Sequence, residues 1–127
     1  MANELAVFDI GNLVAAADLS DYQYYLVYVS AANTVARRTT EGYDVLGVLQ
    51  NKPEAAGRSA QVRHLGITQV VAGAVVAVGA KVMSDSSGRA ITATATLKYF
   101  GTAIEASTAA GQRITVIMEH GYVPAAN

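Results

Sequence analysis

The chain of 127 residues contains no cysteine and no tryptophan, only two prolines, and few charged residues. Without cysteine, neither a disulfide framework nor a cysteine-ligated metal site can form. Charged residues make up 15% of the chain, against about 25% in an average globular protein. Because large exposed apolar patches usually mark interaction sites, we expect other subunits to cover part of this surface.

The few charges nearly cancel, with nine basic and ten acidic residues giving a formal net charge of −1. No basic stripe is present, so we expect no direct binding of nucleic acid. The most apolar stretch, Val70 to Ala80, contains two glycines and is too short to span a bilayer. We expect it to form the core of a β hairpin, and we expect no membrane partner. Met1 is followed by neither a basic region nor a cleavable signal pattern.

What the sequence does contain is an internal repeat. Several glycine, alanine and valine positions recur 54 residues later: Gly47 as Gly101, Ala55-Ala56-Gly57 as Ala109-Ala110-Gly111, and Val62 as Val116. The same spacing upstream relates Tyr28-Val29-Ser30 to Val82-Met83-Ser84, Ala36 to Ala90, and Leu46 to Phe100. This constant spacing predicts that residues 23–63 superpose on residues 77–117.

The secondary structure predicted from this pattern is entirely β. Short runs of aromatic and β-branched residues alternate with glycine-containing turns, as at Asp85 to Gly88. Only Thr92 to Leu97 stays ambiguous between strand and helix. We therefore predict a small β barrel or sandwich, β-tulip-like, built from two pseudo-repeats. An N-terminal arm and lead-in (1–22) would precede the duplicated domain (23–120), and a C-terminal tail (121–127) would follow it.

Residues capable of chemistry are sparse. His64 and His120 have no second histidine or carboxylate at ligand spacing, so we interpret both as strand-end or surface residues. Asp18 and Asp21 fit turn caps better than a metal pair. The chain has neither a nucleophile elbow nor a phosphate-binding loop. We therefore predict no catalytic, metal or cofactor site.

Two groups of side chains are candidates for contacts between subunits. Arg37 and Arg38 lie near the end of a predicted strand and could be solvated or could form intersubunit ion pairs. Four tyrosines form a cluster in the sequence, and no basic residue lies between them, so packing in a core or an interface is favoured over base stacking: Tyr22, Tyr24, Tyr25 and Tyr28. Tyr22, Arg37 and Arg38 are the intersubunit candidates.

The order of several short motifs resembles the signature of the tailed-phage capsid cement (decoration) proteins. The run Asp-Val-Leu-Gly-Val-Leu-Gln-Asn-Lys-Pro at residues 44–53 comes first, then Ala55-Ala56-Gly57 and Val62. A glycine-containing apolar segment, the turn Asp85 to Ala90, the strand Gly101 to Ala106 and Ile114-Thr115-Val116 follow in order. The resemblance extends over roughly residues 16–118.

This resemblance implies a β-rich homotrimer without an enzymatic site. Such proteins clamp the outside of a capsid at three-fold and quasi-three-fold positions, where they contact the major capsid protein and stabilise the shell against internal DNA pressure. It also implies a location on the capsid exterior of the virion, after synthesis in the bacterial host cytoplasm.

Residues 1–11 lie outside the repeat and carry apolar side chains with few local partners: Leu5, Val7, Phe8 and Ile10. We expect an arm that is ordered by a neighbouring capsid protein, through strand addition, and not by its own domain.

Two alternatives remain open at this point. The duplication could frame the pocket of a small-molecule-binding or hydrolytic β barrel, with tyrosine hydroxyls, Arg37, Arg38 and His64 as its polar groups. The chain could also be another virion part, such as a tail or head-completion protein.

Overall fold

A computed structural model describes residues 7–94 and 97–122, and this part of the chain contains strands but no helix. The prediction of an all-β fold is therefore confirmed. The described residues form nine strands: β1 (Phe8–Ala15), β2 (Leu26–Ala31), β3 (Thr34–Arg37), β4 (Gly47–Leu49), β5 (Ser59–Val71), β6 (Lys81–Ser84), β7 (Ala90–Thr92), β8 (Lys98–Ala103) and β9 (Arg113–Tyr122).

The first five strands close into a small barrel, called barrel 1 here. Its order is β1-β3-β2-β4-β5, and β5 pairs back onto β1. The β1–β3 pair is parallel, and the other four pairs are antiparallel. Closure gives every strand two neighbours, but β1 meets β3 only at Val14 and Ala15, so among the described strands residues 8–13 pair with β5 alone. Eight buried side chains fill its core: Leu13, Ala15, Leu19, Val27, Val35, Leu49, Ala60 and Val62.

A second barrel, barrel 2, comprises β6 to β9 and the second half of β5. Residues 66–71 of β5 pair with β9, which continues to β8, β6 and β7. A parallel bridge between Ala72 and Ala90 connects the end of β5 back to β7. Gly66, at the point where β5 leaves one barrel for the other, has a φ of 100°. Such an angle favours glycine, so Gly66 allows the strand to change direction there.

Strands β2 and β4 form the wall between the two barrels. Successive residues of a strand point to opposite faces. Val27 and Leu49 belong to the core of barrel 1, whereas their neighbours Leu26 and Val48 belong to the core of barrel 2. This explains why the sequence of β2 is apolar on both faces.

The duplication is borne out by the strand pairing, but its spacing is not constant. In barrel 1 Val48 pairs with Arg63, and in barrel 2 Thr102 pairs with Ile117, as the 54-residue spacing requires. The preceding hairpins instead match at 55 residues. The pair Val29–Val35 corresponds to Ser84–Ala90. The predicted match of Tyr28-Val29-Ser30 to Val82-Met83-Ser84, and of Ala36 to Ala90, is therefore wrong by one residue, because the chain from the hairpin to the glycine-led strand is one residue shorter in the second copy.

Strand β1 also belongs to the duplicated unit, contrary to expectation. Its equivalent is the second half of β5, 57 residues further on. Ala15 pairs with Val35 and its amide donates to Arg58 O over 2.9 Å, while Ala72 pairs with Ala90 and its amide donates to Gln112 O over 2.7 Å. Each core residue of barrel 1 has a buried equivalent in barrel 2, in the same order: Val70, Ala72, Val76, Val82, Ala90, Ala103, Ile114 and Val116.

The expected N-terminal arm is corrected from Phe8 onward. Phe8 pairs with Leu65 and Ile10 pairs with Val62, both within β5 of the same chain. Residues 8–11 are therefore ordered by their own domain, because they supply the strand that closes barrel 1. Leu5 lies outside the described residues.

The expected hairpin core at Val70 to Ala80 is also wrong. Strand β5 ends at Val71, and a loop follows in which Val75 is 67% exposed and Val78 is 65% exposed. Between residues 73 and 79 only Val76 is buried, at 1% exposure. At the other end, Gly121 and Tyr122 extend β9 by pairing with Tyr99 and Lys98.

The equivalent glycines Gly47 and Gly101 provide a test of the repeated architecture. A β-carbon at Gly47 would overlap the backbone carbonyl of Arg63, and one at Gly101 would overlap that of Ile117. We expect Gly47→Ala and Gly101→Ala each to lower the free energy of unfolding by about 1–3 kcal/mol, as overpacking does. Thermal unfolding measures this, with Gly11→Ala as the control, because no atom lies within 4 Å of its added β-carbon. Unchanged unfolding temperatures of both variants would contradict the close approach of a backbone carbonyl to each glycine.

Candidate interaction surface

Arg37 and Tyr22, two of the intersubunit candidates, contact each other in the same chain. The Arg37 guanidinium lies 4.4 Å from the centre of the Tyr22 ring. Its Nη1 donates a 2.9 Å hydrogen bond to the carbonyl of Ser87, in the β6–β7 turn. Tyr22 also packs edge-to-face on Tyr25. Arg37 therefore connects barrel 1 to barrel 2, and both candidates remain half-buried.

Arg38, the third candidate, is 9% exposed. Its guanidinium lies 3.9 Å from the centre of the Tyr28 ring and 5.4 Å from that of Tyr43. Cation–π contacts of this kind are stronger where water is excluded. The tyrosines of the sequence cluster therefore pack around arginines within one chain, and whether Arg38 also contacts another subunit stays a prediction.

The apolar residues predicted for the arm have different exposures. Val7 is 37% exposed and Phe8 is 55% exposed, with the Phe8 ring meeting the His64 ring edge-on at 6.3 Å. Ile10 is half-buried and packs against the core of barrel 1. Val7 and Phe8 are thus available for contact, whereas Ile10 mainly serves its own barrel.

Asp9, between these apolar residues, forms an ion pair that the sequence did not reveal. Arg63 Nε donates to Asp9 Oδ1 over 2.8 Å, and Arg63 Nη2 donates to Oδ2 over 3.1 Å. Gln61 Nε2 also donates to Oδ2 over 3.1 Å. The hydrogen bonds from Arg63 hold the pKa of Asp9 below its usual range. The pair joins β1 to β5, and no local motif could have shown it because the partners are distant in the sequence.

The two histidines lie together on β5 and β9. Their rings stack with centroids 4.6 Å apart and planes 20° apart. His64 Nδ1 donates to Leu46 O over 2.6 Å, and His120 Nε2 donates to His64 O over 3.0 Å. Both rings are thus held by backbone carbonyls. In residues 7–94 and 97–122, no three histidine, cysteine, aspartate or glutamate side chains gather as a metal site would require.

A groove of about 340 Å³ lies beside His120, between the segments before β4 and at the start of β8. Its lining comes from both copies: Tyr43, Asp44, Val45, Lys98, Tyr99, Phe100 and His120. Of the polar groups suggested for a small-molecule pocket, tyrosine hydroxyls are present, but Arg37, Arg38 and His64 do not line it. The groove therefore does not assemble the predicted set.

Large apolar side chains are exposed on the outside of both barrels. Ile67 and Ile117 pair across β5 and β9 and are 41% and 42% exposed, and Leu65 on the same face of β5 is 42% exposed. At one end of barrel 2, Val75, Val78 and Ile104 are exposed. The alternation Leu65-Gly66-Ile67 carries the signal for an outward apolar face, whereas Val75 and Val78 belong to the segment for which a hairpin core was expected.

Asp18 caps a turn, as predicted. Its Oδ1 accepts hydrogen bonds from Ser20 N over 2.9 Å and from Ser20 Oγ over 2.7 Å.

The described residues contain no helix that is long and apolar enough to cross a membrane.

Replacing Arg38 tests whether its main role lies within the chain. We expect Arg38→Ala to lower the free energy of unfolding of the isolated protein by about 1–2 kcal/mol, because buried cation–π contacts are lost. Urea unfolding measures this, and the exposed Arg58→Ala serves as the control. Unchanged stability of the isolated protein, with weakened self-association, would instead support the intersubunit role.

The Asp9–Arg63 pair should make stability depend on pH. Because folding lowers the pKa of Asp9, its contribution is present above the unfolded value of about 4 and is lost as the pH falls through the folded value. We expect Asp9→Asn to cost about 0.5–1 kcal/mol at pH 7, since the pair is partly exposed. Unfolding curves between pH 7 and pH 3 should show this difference shrinking. A difference that stays constant, or an equal loss in Asp21→Asn, would contradict the assignment.

Comparison with known proteins places the chain in one family. No curated protein matches. Among solved structures, the chain is similar to "The crystal structure of head fiber gp8.5 N base in bacteriophage phi29", with 21% identity, 89% of this chain and 94% of that chain covered, and a TM-score of 0.67. At this identity the likeness concerns the fold. A family model described as "Phage cement protein" matches residues 19–118, and the chain therefore belongs to the phage cement proteins, which are structural proteins of the phage capsid.

Proposed function

We propose that the protein binds the outside of its phage's assembled capsid as a homotrimer at three-fold and quasi-three-fold positions. Its partner is the major capsid protein, and its effect is to stabilise the shell against the pressure of packaged DNA. The observation that carries this proposal is the family match over residues 19–118. The motif order from residue 44 to residue 116 supports it independently of the fold.

The mechanism needs affinity and no chemistry. A ligand that binds only the assembled shell stabilises that shell by mass action, and the stabilisation grows with the ratio of free ligand concentration to Kd. A trimer contacts several capsid subunits at once, so contacts that are weak individually add through effective concentration.

The polar side chains that could act in catalysis, those of Asp9, Arg63, His64 and His120, all form hydrogen bonds within the same chain. The protein is therefore a structural part of the virion exterior, not an enzyme. It is made in the bacterial host cytoplasm, uses no cofactor, and makes no direct contact with nucleic acid or membrane.

The N-terminal contact with the capsid protein involves exposed side chains and one side of strand β1. Residues 8–13 of β1 pair with β5, whereas β3 reaches β1 only at Val14 and Ala15. Val7 and Phe8 expose apolar surface at the start of this segment. Strand addition to the capsid protein is therefore proposed along the side of residues 8–13 that faces away from β5, and for the residues before Val7, including Leu5.

Binding to emptied and to DNA-filled shells tests the proposal. Electron microscopy should show three copies around each three-fold and quasi-three-fold position, and decorated shells should retain DNA at higher temperature than bare ones. Copies bound as isolated monomers away from these positions would overturn the proposal.

The Phe8→Ser variant tests the N-terminal contact. Burial of a phenylalanine contributes about 1.5–3 kcal/mol, so we expect shell affinity to fall about tenfold or more. Co-sedimentation with shells measures it. Val29→Ser, which removes a side chain of similar exposure (53%) from β2, is the matched control. Equal affinities of Phe8→Ser and wild type would remove Phe8 from the interface.

A further inference from the structure

The two barrels end in loops that share a frame, meaning the same buried position and the same backbone hydrogen bonds. The barrel 1 end consists of residues 16–23 beside residues 50–53, and the barrel 2 end consists of residues 73–78 beside residues 104–107. In the first, Leu19 is 4% exposed and its amide donates to Pro53 O over 2.9 Å. In the second, Val76 is 1% exposed and its amide donates to Ser107 O over 3.3 Å.

The residues that close these loops also correspond. Tyr24 and Gly79 have φ angles of 69° and 87°. Their amides donate to Leu49 O and Ala103 O, each over 2.7 Å. These matches fix the correspondence on both sides of the loops, although barrel 1 has two more residues between Leu19 and Tyr24 than barrel 2 has between Val76 and Gly79. Counted back from Tyr24 and Gly79, Gln23 corresponds to Val78.

Equivalent outer positions carry opposite chemistry. Asp18 corresponds to Val75, Gln23 to Val78, and Gln50 to Ile104. In the barrel 1 end, Gln23 Nε2 donates to Gln50 O over 2.8 Å, so the pair is joined by a hydrogen bond. In the barrel 2 end, the three equivalents are 67%, 65% and 44% exposed.

This comparison shows which side chains at the barrel 2 end the loop needs in order to fold and which it does not need. The barrel 1 end shows that the frame forms with polar residues at all three positions. The three apolar residues are therefore not required for folding, and their exposure favours contact with a partner that covers them.

We propose that the barrel 2 end is covered by second copies of this chain around a three-fold axis, an inference that rests on the proposed homotrimer. Near such an axis identical residues meet, so any charge would face its own kind. Residues 73–80 read Gly-Ala-Val-Val-Ala-Val-Gly-Ala and carry neither a charge nor a hydrogen-bonding side chain. Beside them, residues 104–107 carry one charge, on Glu105, whose Oε1 accepts hydrogen bonds from the amide and the hydroxyl of Thr115 in the same chain. The barrel 1 end and the residues that follow it carry three acidic groups and one basic group, so identical copies meeting there would repel each other on balance: Asp18, Asp21, Glu54 and Lys52.

The capsid protein is the other possible partner of the barrel 2 end, and the charge pattern argues against it. A surface for a different protein can use complementary charges to fix its orientation. The barrel 2 end offers none between residues 73 and 80. Self-contact accounts for the lack of charge in residues 73–80, and the carboxylate of Glu105 is bound within its own chain.

The absence of cysteine allows a direct test by cross-linking. Single variants Val75→Cys and Asp18→Cys place one thiol at equivalent positions of the two ends. Each would be treated with a short three-armed maleimide, on decorated shells and as concentrated free protein, and resolved on denaturing gels. We expect covalent trimers from Val75→Cys and only single chains from Asp18→Cys.

Three results would overturn the inference: trimers from Asp18→Cys alone, cross-links from Val75→Cys to the capsid protein, or no cross-linked chains from Val75→Cys in either preparation. A particle image of the same shells separates this failure from that of the proposed function. Trimers at three-fold positions without Val75→Cys cross-links reject only the inference. Binding elsewhere rejects the proposed function, and the free-protein sample then still decides the self-contact.

A second variant keeps the test independent of thiol chemistry. Val75→Asp, Val78→Gln and Ile104→Gln together give the barrel 2 end the side chains of the barrel 1 end. We expect this triple variant to keep the circular dichroism spectrum of the wild type and to self-associate at least tenfold more weakly. Val29→Gln, which changes an exposed valine of barrel 1, should associate as the wild type does. Unchanged association of a folded triple variant would contradict the inference.

Discussion

Both barrels close on one strand, β5, whose first half pairs with β1 and β4 and whose second half pairs with β9. A separate barrel without this strand would expose unpaired backbone groups on two edges, which invites association with other chains. The strand can serve both barrels because Gly66 adopts a φ of 100° where it passes between them. The rest of the architecture follows from this shared strand, since the second copy has no separate equivalent of β1.

A duplicated frame allows one copy to keep a solvated surface while the other acquires a contact surface. The buried positions are constrained in both copies, because each fills the same small core, as Leu19 and Val76 do. The outer positions are free of that constraint, and there Asp18 and Val75 differ completely in chemistry. For a cement protein this division is useful, because binding a shell requires a defined orientation and no catalytic group. The longest uncharged stretch then lies at the end of barrel 2, where contact with other copies is proposed.

The sequence predicts those features that require a particular residue type, and it misses those that depend on strand pairing. Gly47 and Gly101 reveal the repeat because a backbone carbonyl lies where a β-carbon would be, so only glycine fits. The place of β1 could not be predicted, because its equivalence to β5 rests on backbone hydrogen bonds and on small buried residues such as Ala15 and Ala72. Val75 and Val78 were assigned to the core because an apolar run does not show which side faces solvent. The Asp9–Arg63 pair depends on strand register, which the sequence alone does not fix.

The central claim is that the two barrel ends share a frame and differ in their partners. Hydrogen–deuterium exchange followed by mass spectrometry, on free protein diluted until it is monomeric and on protein bound to shells, tests it most directly. The account predicts slower exchange on the shell in residues 73–79 and 104–107, and unchanged exchange in residues 16–23 and 50–53. Protection gained at the barrel 1 end instead, or equally at both ends, would contradict it.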